Sequence, residues 1–400
     1  MTSFRVLLVM IEPPLPFGNA AARGYYVLLK GLVDRGHQVT AFVACTSHSD
    51  LEQAEQVFPR SSYDLRCFPA PRRQGVAAKV ATLQRPYSYM FGPELLASLQ
   101  AEAERGFDVL HLEQLWSGWA GLPWARRAVL NVHYLYEVDL GSRWRYSRDR
   151  WLARRGARSL VGRFPTITTL TPRLSSQLRR LNPWARVRTV PLGLDSGLYP
   201  FEPCRERSGP PVVALIGSFT WLPTYEAGRR LLRLWPEIAR RVPGARLQLV
   251  GRGAGVLLDR GARAPGIDVH DSVDDVFPYF AATDVLLYAA TAASGMKVKV
   301  LEAFALGVPV VTTSEGIEGL PARDGVEAGV ADDDSGLIER TVALLGDPGR
   351  ADRQRQAARA LVESHCGPGP VLDAFEDIYR GVARGAVRTA VPIGAAAPAR

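Results

Sequence analysis

Gly295, Lys299 and Glu302 are spaced four and three residues apart within SGMKVKVLEAFALGVPVV (294–311). On a helix, i+4 and i+7 return to nearly the same side, so the three would share one face. Ser294 suits the N-cap of that helix, and Gly307 followed by Pro309 suits its stop, which predicts a helix over about 295–306. Val298, Leu301 and Ala305 form its apolar stripe. A helix start with free amides, a glycine and two lysines, Lys297 and Lys299, has the chemistry of a phosphate site. A carboxylate two turns on accepts hydrogen bonds from vicinal hydroxyls. Seven residues of helical rise put Glu302 roughly 10 Å from Gly295, near the span from a diphosphate to a ribose. An ordinary amphipathic helix with a solvated charged face would show the same spacing.

A second set of candidates comes earlier in the chain. His111 and Glu113 lie in FDVLHLE (107–113), and His133 lies in RAVLNVHYL (127–135). Strand alternation puts His111 and Glu113 on one side. Two histidines and a glutamate at the mouths of adjacent strands suit catalysis. Glu113 can orient and deprotonate a hydroxyl, or stabilise a cationic carbon. The competing account is a buried structural carboxylate paired with an arginine. In the loop PFGNAAARG, Gly18 and Asn19 permit unusual backbone angles. Arg23 reads there as a phosphate partner or as a surface arginine. The triplet Asp332–Asp334 lies in a Gly/Asp loop without strand context and reads as a surface turn, so no catalytic metal is expected.

The elements that must hold these residues alternate. FRVLLVMI (4–11) is an apolar, branched run, as in a strand covered on both faces. A helix over about 20–35 and the strand HQVTAFVA follow; 107–113, 127–135 and 165–171 are further strands. A second series begins at VVALIGSF (212–219) after a Pro/Gly-rich linker at 191–211, with a helix over about 224–241. The fold class expected is α/β, with two Rossmann-like domains facing across a cleft. Their bounds are 1–195 and 196–370, with a helix at 371–386 returning to the first domain and a flexible tail at 387–400.

The chain has 400 residues, 47% of them apolar and 22% charged, which excludes disorder and coiled coil as the main architecture. A charge of +9 favours anionic partners. Four scattered cysteines give no zinc spacing and fit a reducing cytoplasm. No signal peptide or membrane span is expected. The basic, aromatic segment SRWRYSRDRWLARRGAR (142–158) suits an anionic membrane surface at the inner face, a phosphorylated acceptor or a solvated helix. No nucleic-acid motif accompanies it, and no nucleic-acid partner is expected.

The stretch EAFALGVPVV (302–311) resembles the donor-binding signature of GT-B glycosyltransferases, in particular the retaining family 4. That family has a glutamate, seven residues, then a second glutamate followed by Ala-x-Ala-x-Gly-x-Pro-Val-Val. The resemblance implies a nucleotide-sugar donor, no cofactor, and a ribose contact at Glu302. It places Ser294 where the first glutamate contacts the transferred sugar. The chain is similar there to a subset with Ser-Gly-x-Lys-x-Lys, which assigns Ser294, Gly295, Met296, Lys297 and Lys299 to the donor, with Lys299 favoured for the diphosphate. The segment 216–253 is similar to the start of the family's donor domain. There Gly217 and Ser218 end a strand near the phosphates, and Arg252 is a candidate anion contact. Val273 corresponds to the backbone that touches the base. Gly18 lies in the loop the family holds near the reacting phosphate, and Glu113 replaces the second histidine of a His-x-His pattern. The implied activity is sugar transfer to a glycolipid, polysaccharide or small natural product. A sugar-nucleotide epimerase and a non-catalytic nucleotide-binding or scaffold protein remain the alternatives.

Overall fold

The computed structural model describes residues 3–45, 47–69, 71, 80, 82–140, 144–202, 209–260, 264–291 and 294–389. The chain divides into two compact units. The first comprises Met1–Tyr134, Trp151–Gly193 and Pro368–Arg400, and the second Leu135–Arg150 and Leu194–Gly367. Parts of the expected linker (203–208) and the expected tail from residue 390 lie outside the described residues.

In the first unit a parallel sheet is built from β1 (Arg5–Met10), β2 (Gln38–Cys45), β3 (Asp64–Pro69), β4 (Val109–Glu113), β5 (Ala128–Val132), β6 (Thr166–Thr169) and β7 (Arg186–Thr189). Its order is β3-β2-β1-β4-β5-β6-β7. β4 and β5 are buried at every residue, so they read as unbroken apolar runs interrupted only by the candidate polar groups. Asn19 caps the helix Ala20–Asp34 by accepting from the Ala21 and Ala22 amides.

The helix Pro368–Thr389 belongs to this unit. It buries Leu372, Phe375, Ile378, Tyr379 and Val382 in the core around β1. Its approach to the helix Ala20–Asp34 is close: a Cβ on Gly31 would lie 2.3 Å from Leu372 Cδ1, so nothing larger than hydrogen fits there. Arg35 closes the rim with Asp373 at 2.7 Å and Glu376 at 3.0 Å.

The second unit has β8 (Val212–Ile216), β9 (Arg246–Gly251), β10 (Ile267–Asp271), β11 (Val285–Tyr288), β12 (Val310–Thr312) and β13 (Gly329–Val330), ordered β10-β9-β8-β11-β12-β13. Both sheets therefore reverse their winding beside their first strand, at β1/β4 and at β8/β11. A crevice for ligands opens outside the carboxyl ends at such a point. The two sites described below lie at these ends. Among the described residues no helix is long and apolar enough to cross a membrane.

Two expectations are corrected. Leu135–Arg150, read within a first domain of 1–195, packs with the second unit, because Asp139 on it is bonded to Ser294. The helix expected from 295 starts at Val298 and runs to Leu306, with Lys297 rather than Ser294 at the N-cap. The hydroxyl of Ser294 is taken by Leu135 and Asp139, so it is not available to cap.

Leu372→Ala tests the docking of the last helix. Emptying a fully buried leucine site costs about 2–5 kcal/mol, so the urea midpoint should fall accordingly. An unchanged midpoint would mean that the helix does not support this core.

Candidate active site

In the first unit three side chains converge on Glu113 at the end of β4. His133 Nε2 lies 2.6 Å from Oε2, and Asn131 Nδ2 lies 3.1 and 3.2 Å from the two oxygens. His111 Nε2 is 2.9 Å from Oε1, an electrostatic contact off the line of a good hydrogen bond. All four residues are buried. Burial alone would push the Glu113 carboxyl up. The nearby His111 imidazole and the hydrogen bond from His133 outweigh it, and the carboxyl is held well below the usual range. His111 Nδ1 bonds the hydroxyl of Tyr379 on the last helix. Asn131 is held in turn by Thr168, whose hydroxyl donates to Oδ1 at 2.9 Å.

Glu113 thus accepts hydrogen bonds from its neighbours at both oxygens. It fixes the proton of His133 on Nε2, which leaves Nδ1 as the basic nitrogen, without a partner among the described residues. Beside this cluster Glu12 follows β1 and is bonded by Asn19. Burial raises its carboxyl above the usual range.

In the second unit the carboxyl ends of β8, β9 and β10 are tied together. Phe219 N donates to Arg252 O at 2.8 Å, and Gly253 N donates to Asp271 Oδ1 at 2.8 Å. A Cβ on Gly251 would lie 2.3 Å from Gly217 O, and one on Gly217 would lie 2.8 Å from Lys299 Cε. With φ of 123° and 155°, these two glycines let the strand ends and the lysine share one small volume.

Lys299 is half-buried over the Tyr288 ring, 4.4 Å from its centroid, with no carboxylate in ion-pair range among the described residues. Burial first, and then the neighbouring Lys297, push its ammonium down to about 7. Lys297 differs: its ammonium bonds the Gly295 carbonyl and lies 3.5 Å from Glu318. The helix Val298–Leu306 has no side-chain cap and no acidic residue in its first turn. At its other end Arg355 Nε bonds the Gly307 carbonyl at 2.8 Å, and Arg359 bonds that of Ala305 at 2.5 Å. Its negative pole is neutralised and its positive pole is not.

Two family models match the chain. Glycosyltransferase Family 4 covers residues 21–198, and Glycosyl transferases group 1 covers residues 210–347. The chain is a glycosyltransferase of the group 1/family 4 type. It is 24% identical to a glycogen synthase of Mycobacterium tuberculosis, over 95% of each chain. Its GT-B fold is that of a sucrose-phosphate synthase from Thermosynechococcus elongatus (TM-score 0.70, 15% identity, covering 94% of this chain and 99% of that one). Anabaena HepE, solved with UDP-glucose, is similar as well (TM-score 0.68, 15% identity, 94% of this chain and 100% of that one).

In this glycosyltransferase the expected residues separate into groups. His111, Glu113 and His133 meet. Gly217 and Lys299 meet, and Glu302, half-buried, follows Lys299 by one turn. Gly295 precedes the helix and so does not share its face, and Met296 is buried beside it. Arg23 is buried, which removes the surface reading, whereas Gly18 is exposed. Arg252 and Ser218 are exposed on their loops, and Val273 is half-buried after β10. The aspartate triplet is architectural: Asp333 caps the helix Asp334–Gly346, and Asp334 pairs with Arg230 at 2.7 Å. Sequence reasoning missed Asn131, Asp139, Glu318 and Tyr379. Asn131 alone left a local signal, a polar residue within a fully buried strand.

Glu113→Gln should destabilise the first unit by about 3–5 kcal/mol, because it leaves buried donors without their anion. A carboxyl depressed in the folded state stabilises above its unfolded value near 4.5 and loses that contribution as pH falls toward its folded value. The gap between wild type and variant in urea unfolding should therefore persist at pH 6 and shrink below pH 4. A variant as stable as wild type at pH 6 would refute the buried-anion account.

Proposed function

We propose that this glycosyltransferase moves a sugar from a nucleoside-diphosphate sugar to an acceptor hydroxyl, with retention and without a divalent metal. The observation that carries the reading is Lys299, a half-buried cation with no carboxylate in ion-pair range among the described residues, at the uncapped positive end of a helix. A diphosphate there gains the helix amides, the macrodipole and one ammonium. Glu302, a turn further along, is suited to the ribose hydroxyls. The UDP-glucose bound in HepE agrees with a donor of this class. Retention rests on the family resemblance.

In the transfer the acceptor oxygen bonds the anomeric carbon on the same face from which the diphosphate departs, as the bond from that carbon to the diphosphate breaks. Negative charge grows on the leaving oxygen, where a preorganised cation and amides act most strongly. The hydroxyl proton passes to the departing diphosphate oxygen, and in the first unit His133 Nδ1, held by Glu113, suits an acceptor hydroxyl as its hydrogen-bond acceptor. Glu113 is then a positioning residue. The acceptor is a glycolipid, a polysaccharide or a small natural product.

Diphosphate binding should restore the charge of Lys299, whose ammonium is pushed down to about 7 in the free protein. UDP or GDP affinity should be full below that pH and fall roughly tenfold between pH 7 and 8.5 by calorimetry. Lys299→Gln should bind weakly throughout and lose this dependence. A flat wild-type profile would remove Lys299 from the diphosphate.

Sugar transfer should survive EDTA. Activity that disappears on chelation and returns with Mg²⁺ or Mn²⁺ would overturn the metal-free reading.

A further inference from the structure

Asp139 is 5% exposed, and its two carboxylate oxygens stand in different situations. Oδ1 accepts from the Ser294 amide at 2.7 Å and faces the Ser294 hydroxyl at 3.0 Å. Oδ2 is buried without a hydrogen-bond partner among the described residues. An orphaned carboxylate oxygen is costly in a protein interior unless a ligand or a water supplies a proton. Burial, with Glu318 adding to it, raises the carboxyl to about 6 against the opposing bonds of Ser294 and the charge of Lys297.

The surroundings indicate what could approach. The same charge reaches the Tyr288 phenol, the ring on which Lys299 lies, and helps to raise its pKa. Asp139 and Lys299 therefore both act on Tyr288. Lys297 is already committed to Glu318 and the Gly295 carbonyl. Ser294 has spent its hydroxyl on Asp139 and on Leu135, whose amide donates to it at 3.0 Å. What this wall lacks among the described residues is a donor, an O–H or N–H, for Asp139 Oδ2.

We propose that Asp139, held by Ser294, binds a hydroxyl of the transferred sugar through Oδ2. The inference rests on the donor reading above and adds a sugar-recognising residue to it. The carboxylate comes from a segment 155 residues away in sequence and acts as the specificity determinant for the sugar, while Lys299 and Glu302 hold the nucleotide.

Calorimetry on the full chain tests this with UDP against UDP-glucose and UDP-N-acetylglucosamine, and GDP against GDP-mannose. The pair that binds wild type most tightly is carried forward. Asp139→Asn keeps the shape and an acceptor for the Ser294 amide, but offers the sugar a neutral amide. It should weaken the nucleotide sugar at least tenfold and leave the matching diphosphate within twofold, with normal thermal unfolding. Ser294→Ala keeps the carboxylate and should weaken the nucleotide sugar less than threefold. Unchanged nucleotide-sugar affinity in Asp139→Asn, with normal diphosphate binding, would overturn the assignment and leave the donor reading intact. Equal loss of both ligands together with thermal stability would overturn it too, since Asp139 would then only fasten its segment. Absence of any nucleotide binding by wild type would overturn both.

Discussion

Arg355 and Arg359 take up the carbonyls of Gly307 and Ala305 and so satisfy the negative end of the helix Val298–Leu306. Nothing comparable is done at its start, where no side chain caps the amides and no acid lies in the first turn. A helix neutralised at one pole only presents an unopposed positive potential at the other. The neighbouring architecture follows from that asymmetry. Gly217 and Gly251 bring two strand ends together and leave room for the lysine that adds to the same potential. The short segment Leu135–Asp139 closes the wall beside it.

The first unit uses charge in the opposite way. Glu113 is enclosed by His111, His133 and Asn131, so its anion is consumed within the protein. Such a cluster stabilises only while all its members are present, because removing one leaves the others buried and unpaired. Its product is geometric: a fixed imidazole tautomer with one basic nitrogen. The chain ties this geometry to its own end, since Tyr379 on the last helix bonds His111 across 268 residues of sequence. The packing of that helix and the geometry of the Glu113 cluster are therefore one problem.

Local patterns made much of this legible. Apolar runs gave the parallel strands, because strands covered on both faces carry few polar residues. Strand alternation paired His111 with Glu113, and helical spacing paired Lys299 with Glu302. What failed were features set by distant residues. Ser294 has the chemistry of an N-cap, but Asp139 and Leu135 captured its hydroxyl, and the helix begins three residues later than its position would give. The segment 135–150 carries no mark in its sequence that it packs with the second unit; there Leu135 and Asp139 bond Ser294, and Tyr136 stacks on Trp221. Glu113 was expected to pair with an arginine if structural, and it pairs with histidines instead, which keeps the cluster responsive to proton transfer.

Lys297 and Lys299 show how far residue type alone can lead. They are two positions apart, yet neighbours give them opposite fates. Glu318 and the Gly295 carbonyl compensate Lys297, so its charge is balanced before any ligand arrives. Lys299 meets only an aromatic face, which attracts a cation weakly and leaves its charge available. Compensation of the first lysine also makes the second tolerable, because two uncompensated ammonium groups at one helix start would repel strongly at low dielectric. Glu318 therefore acts on Lys299 without touching it: by pairing with Lys297 it limits the repulsion that pushes the second ammonium down.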